Sequence, residues 1–443
     1  MQLQQAHPRS SSGVSGSPAP PECRDTAPPL VTPPGCPGRP NSPRRSAYQA
    51  PGSTPGMHRA TARDCRFLRL ACRSAATHTM MISTARSLVF LCSVLLLSAC
   101  ASGGVSPPEQ PGTAPEAQER LPILDMHMHA RLARHYGPNP GPLCAPVVAM
   151  PFWDPAHPIE EGLRGSTSCR EVLPAATDAA VLGETLAAME RHNIIGVLGG
   201  APELVKAWRA AAPGRFIPGL DFRLDRATGT ATAAPDGASY RPVSPDSIRA
   251  LHRRGDLAVL GEVLNQYGGI APDDPRMEPY WALAEELDLP VGIHIGPGGP
   301  GEFYFGNRAY RTRLQSALTL EEVLIRHPRL RVYVMHAGYP MLDDLRAMLF
   351  SHPQLYVEVS MLVNVEPRPA FYRYLQELVD AGYGDRIMFG SDQMVWPGLI
   401  DAAVRSIEEA PFLTHGQKRD IFYNNAARFL RLTPEEIARH HGR

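Results

Sequence analysis

The stretch LPILDMHMHA at residues 121–130 decides how this chain is read: an apolar run of strand length ends on two histidines one residue apart. Three later segments repeat the design. LPVGIHIGPG (289–298) runs into His294, LRVYVMHAGYP (330–340) into His336, and DRIMFGSDQ (385–393) into Asp392. Successive side chains of a strand point to opposite faces, so His127 and His129 share a side, while Asp125 and Met128 are expected to point elsewhere. Imidazoles with one carboxylate form a donor set that suits a divalent metal such as zinc. The rim where strands open into loops is where a parallel α/β barrel keeps its active site. The same residues therefore bear on fold, cofactor and reaction.

Outward from these segments the chain alternates strand-like and helix-like stretches. Strands are expected at 122–128, 194–199, 216–222, 257–264, 290–296, 331–337, 355–361 and 387–391. Helices are expected at 177–192, 202–212, 244–254, 277–288, 319–327, 340–351, 371–381 and 400–410. Several strand runs are almost continuously apolar, as parallel strands covered on both faces must be. Ser244 and Asp246 can cap one helix start, and Thr319 with Glu322 has the spacing of a capping box at another. Eight such units predict an α/β fold of the (β/α)8 TIM-barrel type. A doubly wound open sheet is the rival, but no glycine-rich phosphate loop follows the first strand. Residues 130–176 and 297–318 break the rhythm and read as long rim loops, suited to recognising a small-molecule substrate. Trp153, Arg223, Asn265, Arg308 and Trp396 lie in loops expected to reach that rim, either to orient an anionic or aromatic substrate or simply to pack.

The formal charge of zero hides an asymmetry. Residues 1–79 carry +7 and residues 101–443 carry −8, so the folded part has no electrostatic footprint for nucleic acid. Residues 1–79 are rich in Pro, Ser, Gly and Arg and cannot bury a core; they read as disordered, or as an extension upstream of the true start at Met80 or Met81. Residues 80–99 read as a signal peptide, with Arg86 ahead of an apolar run too short for an ordinary membrane span. The run ends Leu97-Ser98-Ala99-Cys100, which resembles the bacterial lipobox. That resemblance implies cleavage before Cys100, a lipid on Cys100, and anchoring to a membrane of the bacterial cell envelope. Residues 100–120 then form a flexible tether, and 121–443 the barrel. Of eight cysteines only Cys144 and Cys169 lie in the barrel region, where an oxidising compartment would allow them to pair. Oligomeric state has no signature in the sequence.

The strand-end residues, together with HPRLRVYVMHAGYP (327–340) and YNNAARFLRL (423–432), resemble the amidohydrolase superfamily, in its amidohydrolase-related (type 2) branch, over roughly residues 121–432. The resemblance implies that His127, His129, His294 and Asp392 hold one divalent metal, zinc by donor type. It implies Asp392 as general base, and His336 as a second-metal ligand or as a contact to substrate and water. Glu262 falls where some binuclear members, TatD-type deoxyribonucleases among them, place a bridging glutamate, but the usual bridging lysine of this strand is absent. A single metal is therefore the working expectation, with Glu262 supporting the ligands. The activity implied is water attack on an amide, ester or lactone bond of a small molecule. The alternatives are nonoxidative decarboxylation, as in aminocarboxymuconate semialdehyde decarboxylase, and a barrel lipoprotein without catalysis. No G-x-S-x-G elbow supports a serine nucleophile.

Overall fold

A computed structural model describes residues 120–163, 169–228, 231–233 and 242–442. The expected upstream extension, signal peptide and most of the tether lie outside the described residues. Among the described residues no helix is long and apolar enough to cross a membrane.

Eight strands run in parallel and pair in chain order: β1 (Ile123–His129), β2 (Ile194–Gly199), β3 (Phe216–Leu224), β4 (Val259–Val263), β5 (Val291–His294), β6 (Val332–Met335), β7 (Tyr356–Glu358) and β8 (Ile387–Met388). Just past β8 the ring closes on β1, where Met126 N donates to Phe389 O (2.9 Å) and Asp392 N to His127 O (2.8 Å). A right-handed crossover needs a helix after each strand. These are α1 (Asp178–Arg191), α2 (Pro202–Ala211), α3 (Pro245–Arg253), α4 (Glu278–Glu286), α5 (Glu321–Arg326), α6 (Leu342–Ser351), α7 (Arg368–Leu378) and α8 (Gly398–Glu408). The barrel predicted from the sequence is the fold observed.

One face of each strand fills the barrel and the other meets the helices. Leu124, Met126, Ile195, Val197, Val259, Tyr333, Met335 and Met388 pack together inside. Tyr333 is accommodated because Gly292 stands opposite it; a methyl group on Gly292 would overlap the phenol ring and Met335. The barrel floor is closed by Phe429, whose ring centroid lies 5.5 Å from that of Tyr333. Phe429 comes from a C-terminal run of short helices, His415–Arg419, Asn425–Leu430 and Pro434–His441, that strand and helix periodicity did not announce.

Helix starts follow side-chain chemistry with one correction. Thr177 caps α1, and Ser244 forms a reciprocal capping box with Ser247 at α3. Thr319 does not cap α5. Its hydroxyl donates to Ser316 O (2.7 Å), because residues 317–320 form a 3-10 turn that carries the chain into the helix. The segment 130–176 contains an antiparallel pair, Leu143–Cys144 with Glu171–Val172, and Cys144 is disulfide-bonded to Cys169. The segment is tied to the β7 and β8 loops by Val147 N to Val365 O (3.2 Å) and Ala175 N to Val395 O (2.9 Å). Its far part reaches the loop after β5, where the Trp153 and Tyr304 rings lie 5.1 Å apart. The first long loop thus spans from the β1 end over β7 and β8 to the β5 side of the rim.

Candidate metal centre

Every strand-end residue singled out from the sequence arrives at the same end of the barrel, and all are buried: His127, His129, His294, His336 and Asp392, joined by Glu262 on β4. His127 and His129 project from β1, and His294 is the last residue of β5. His336 and Asp392 stand just beyond their strands with φ of 59° and 48°. That left-handed conformation is costly for residues other than glycine and is retained where a side chain must be aimed.

The donor atoms converge around Glu262. Its Oε2 lies 3.6 Å from Nε2 of both His127 and His129. Its Oε1 lies 2.6 Å from His294 Nδ1 and 3.3 Å from His336 Nε2, and those two nitrogens are 3.0 Å apart. Three overlapping groups have metal-holding geometry: His127 with His129 and Glu262, His127 with His336 and Asp392, and Glu262 with His294 and His336. His294 therefore groups with Glu262 and His336 rather than with the β1 pair.

Each β1 histidine is oriented from behind. His127 Nδ1 faces Glu358 Oε2 at 3.1 Å and Ser360 Oγ at 2.9 Å. His129 Nδ1 donates to Asp221 Oδ2 at 2.8 Å. With each Nδ1 proton on a carboxylate, each Nε2 offers a lone pair toward the centre, the arrangement that metal-bound histidines adopt. The two Nε2 atoms stand 3.0 Å apart, and Asp392 Oδ1, 3.0 Å from that of His129, is buried without a hydrogen bond. Lone pairs and an orphaned carboxylate oxygen facing one point fit a cation. Gln393 locks the strand below, accepting from His129 N (3.0 Å) and donating to His129 O (2.7 Å).

Charge agrees with geometry. Asp125, Asp221, Glu262, Glu358 and Asp392 are buried here beside a single buried guanidinium, Arg131. Burial works against charge on His127, yet Asp392 and Glu262 outweigh it and push His127 well above the ordinary histidine range. Burial also opposes ionisation of Asp392, but the neighbouring His127 and His129 hold it down at about 2. His294 is pushed below its usual value, by burial first and by His336 second. A proton drawn onto the β1 pair occupies the place that a metal cation would fill.

Some sequence expectations change. Asp125 does not point away: with the same parity as His127 and His129, it turns its carboxylate to accept from His127 N (3.0 Å) and Ser391 N (3.0 Å). Burial raises Asp125 to about 7 despite those bonds. Trp396 is buried and donates to Gly141 O (2.9 Å), and buried Asn265 accepts from Leu224 N (2.8 Å), so both hold loops in place. Arg223 lies on β3, opposite Thr232 in a short antiparallel pairing. Arg308 is exposed, its guanidinium 5.1 Å from the Phe303 ring centroid. Tyr267, not anticipated, places its ring 4.6 Å from that of His294. Asp221 and Glu358 were also missed, although FIPGLD (216–221) and LYVE (355–358) end apolar runs on a carboxylate just as the segment before Asp392 does.

The sequence profile of the amidohydrolase family (Amidohydro_2) matches residues 124–432. No curated protein matches the sequence. Similar solved structures include a TIM-barrel protein from Bordetella bronchiseptica, 18% identical, covering 73% of this chain and 100% of that one, with a TM-score of 0.44. A probable 2-pyrone-4,6-dicarboxylic acid hydrolase from Acinetobacter baumannii is 14% identical, covering 70% and 99%, with a TM-score of 0.43. A 5-carboxyvanillate decarboxylase from Sphingomonas paucimobilis is 18% identical, covering 71% and 100%, with a TM-score of 0.41.

Proposed function

The chain belongs to the amidohydrolase family, and from that premise we propose that it is a metal-dependent hydrolase opening an amide, ester or lactone bond of a small molecule. The observation that carries the reading is the orphaned Asp392 Oδ1 beside the inward-facing Nε2 atoms of His127 and His129. We assign the first metal position to His127, His129 and Asp392. A second ion would be held by His294 and His336, with Glu262 Oε2 turned toward the β1 histidines and Oε1 toward His294 and His336. Imidazole and carboxylate donors suit zinc, which when bound polarises the attacked carbonyl and makes water a nucleophile near neutral pH.

The side chains supply the rest. Asp392 stays ionised, so its carboxylate can take a proton from the attacking water. As the water oxygen bonds to the carbonyl carbon and the bond to the leaving nitrogen or oxygen breaks, Asp392 returns that proton to the leaving atom. His294 and His336, holding a cation, would place positive charge opposite the negative charge that develops on the carbonyl oxygen. Glu358 and Asp221 keep both β1 rings from rotating out of register. Anchoring through a lipid on Cys100 is part of the proposal and would place the reaction at the bacterial cell envelope.

The test is a panel of lactones, esters, amides and aromatic carboxylates offered to the metal-loaded full-length chain in ¹⁸O-labelled water. One label atom in a carboxylate product supports hydrolysis. Release of CO₂ from an aromatic acid without label in the organic product replaces hydrolysis with decarboxylation.

A further inference from the structure

We propose that Asp221 is a positioning residue that couples the two metal positions, and that Gly199 exists to make room for it. This rests on the metal-centre reading above. Asp221 is fully buried within β3 and touches three parts of the centre. Its Oδ2 accepts from His129 Nδ1 (2.8 Å) and from Arg131 Nη2 (2.7 Å). Its Oδ1 accepts the backbone N–H of Glu262 (2.5 Å). One carboxylate thus fixes the ring of a first-position histidine and the main chain of the glutamate that faces both positions.

The neighbours show that the carboxylate's place is built into the barrel. Gly199 ends β2 in register with His129, and a methyl group there would overlap first the Asp221 carboxylate and then the Gly261 carbonyl oxygen. Arg131 supplies the compensating positive charge from the residue pair following His129. Both carboxylate oxygens are thus occupied, Oδ2 by His129 and Arg131 and Oδ1 by Glu262 N. The matching support for His127, Glu358, is packed against Gly390 in the same way, but its other bonds are accepted from Ser360 N and Ser360 Oγ. The cross-connection belongs to Asp221.

An asparagine at this position keeps the volume and one acceptor oxygen but cannot accept from Glu262 N, His129 and Arg131 together. His129 loses the partner that holds its proton on Nδ1, and Nε2 is no longer reserved for the metal. The experiment measures zinc affinity of the full-length chain by chelator competition, with melting of the zinc-free protein as the control for folding. Asp221→Asn should weaken zinc by roughly 10- to 100-fold, the scale for losing a partner behind a metal-bound histidine. Gly199→Ala, whose methyl would meet Asp221 Oδ1 before any other atom, should weaken zinc in the same direction by displacing Asp221. It carries the test if Asp221→Asn fails to fold. In a cycle with Glu262→Gln, the combined loss should be smaller than the product of the single losses, because both changes cut one linkage. Zinc affinity within twofold of the parent in the folded variants, or losses that multiply fully, would overturn the coupling while leaving the metal centre intact. A parent chain that binds no zinc would overturn the centre itself, and the coupling with it.

Discussion

Replacing Glu262 by glutamine asks most of this structure, because the change preserves shape and removes one buried charge. The carboxylate lies between 2.6 and 3.6 Å from nitrogens of four histidines. Two unit charges about 4 Å apart attract by about 4 kcal/mol at an effective dielectric constant of 20. Part of that is returned because a neutral amide is cheaper to bury than a carboxylate. A net loss of roughly 2–3 kcal/mol remains, which weakens metal binding about 30- to 150-fold. The assay is zinc titration against a chromophoric chelator, with bound metal counted by elemental analysis after gel filtration. The expected result is a tighter site that survives, weakened, and a second equivalent that disappears. If the variant holds the same number of ions with unchanged affinity, Glu262 is only a packing carboxylate and the two-position centre is wrong.

Other outcomes follow from single contacts. His336→Ala should retain the ion held by the β1 histidines and lose about 10²-fold or more in turnover, the scale of a lost oxyanion or acid–base group; full activity would defeat the proposed role. Tyr333→Phe removes the bond from its hydroxyl to Met126 O inside the barrel (3.1 Å) and should cost about 1 kcal/mol in urea unfolding. Gly292→Ala, which forces a methyl group against Tyr333 and Met335, should cost about 1–3 kcal/mol; a neutral result would contradict the packing described. Mass spectrometry of membrane-extracted protein should find a lipidated N-terminal Cys100, and recovery of a soluble chain retaining residues 1–99 would reject the anchor.

The barrel was legible because its eight strands are short apolar runs and its helices carry their own start signals. Both periodicities survive in a single sequence. What escaped has a common cause: it depends on contacts between distant residues. The pair Leu143–Cys144 and Glu171–Val172 is too short to show alternation and is set by its partner strand and by the bond between Cys144 and Cys169. Phe429 reaches the barrel floor from a helix of only six residues. Within the site, the sequence singled out residues by ligand type, and the chain brings them together. It could not separate the roles of strand-end carboxylates. Asp221 and Glu358 face the outer nitrogens of His129 and His127, whereas Asp392 and Glu262 face inward, and only the three-dimensional register distinguishes them. The grouping of His294 with Glu262 and His336 is hidden in sequence for the same reason.

The central claim is that this cluster is a metal centre, and metal content tests it most directly. Full-length protein, purified without chelator and dialysed against limiting zinc, should retain zinc in near-integral amount, close to two ions per chain. The double variant His127→Ala/His129→Ala should lose the ion of the first position. A parent chain with no more bound zinc than the double variant would contradict the account.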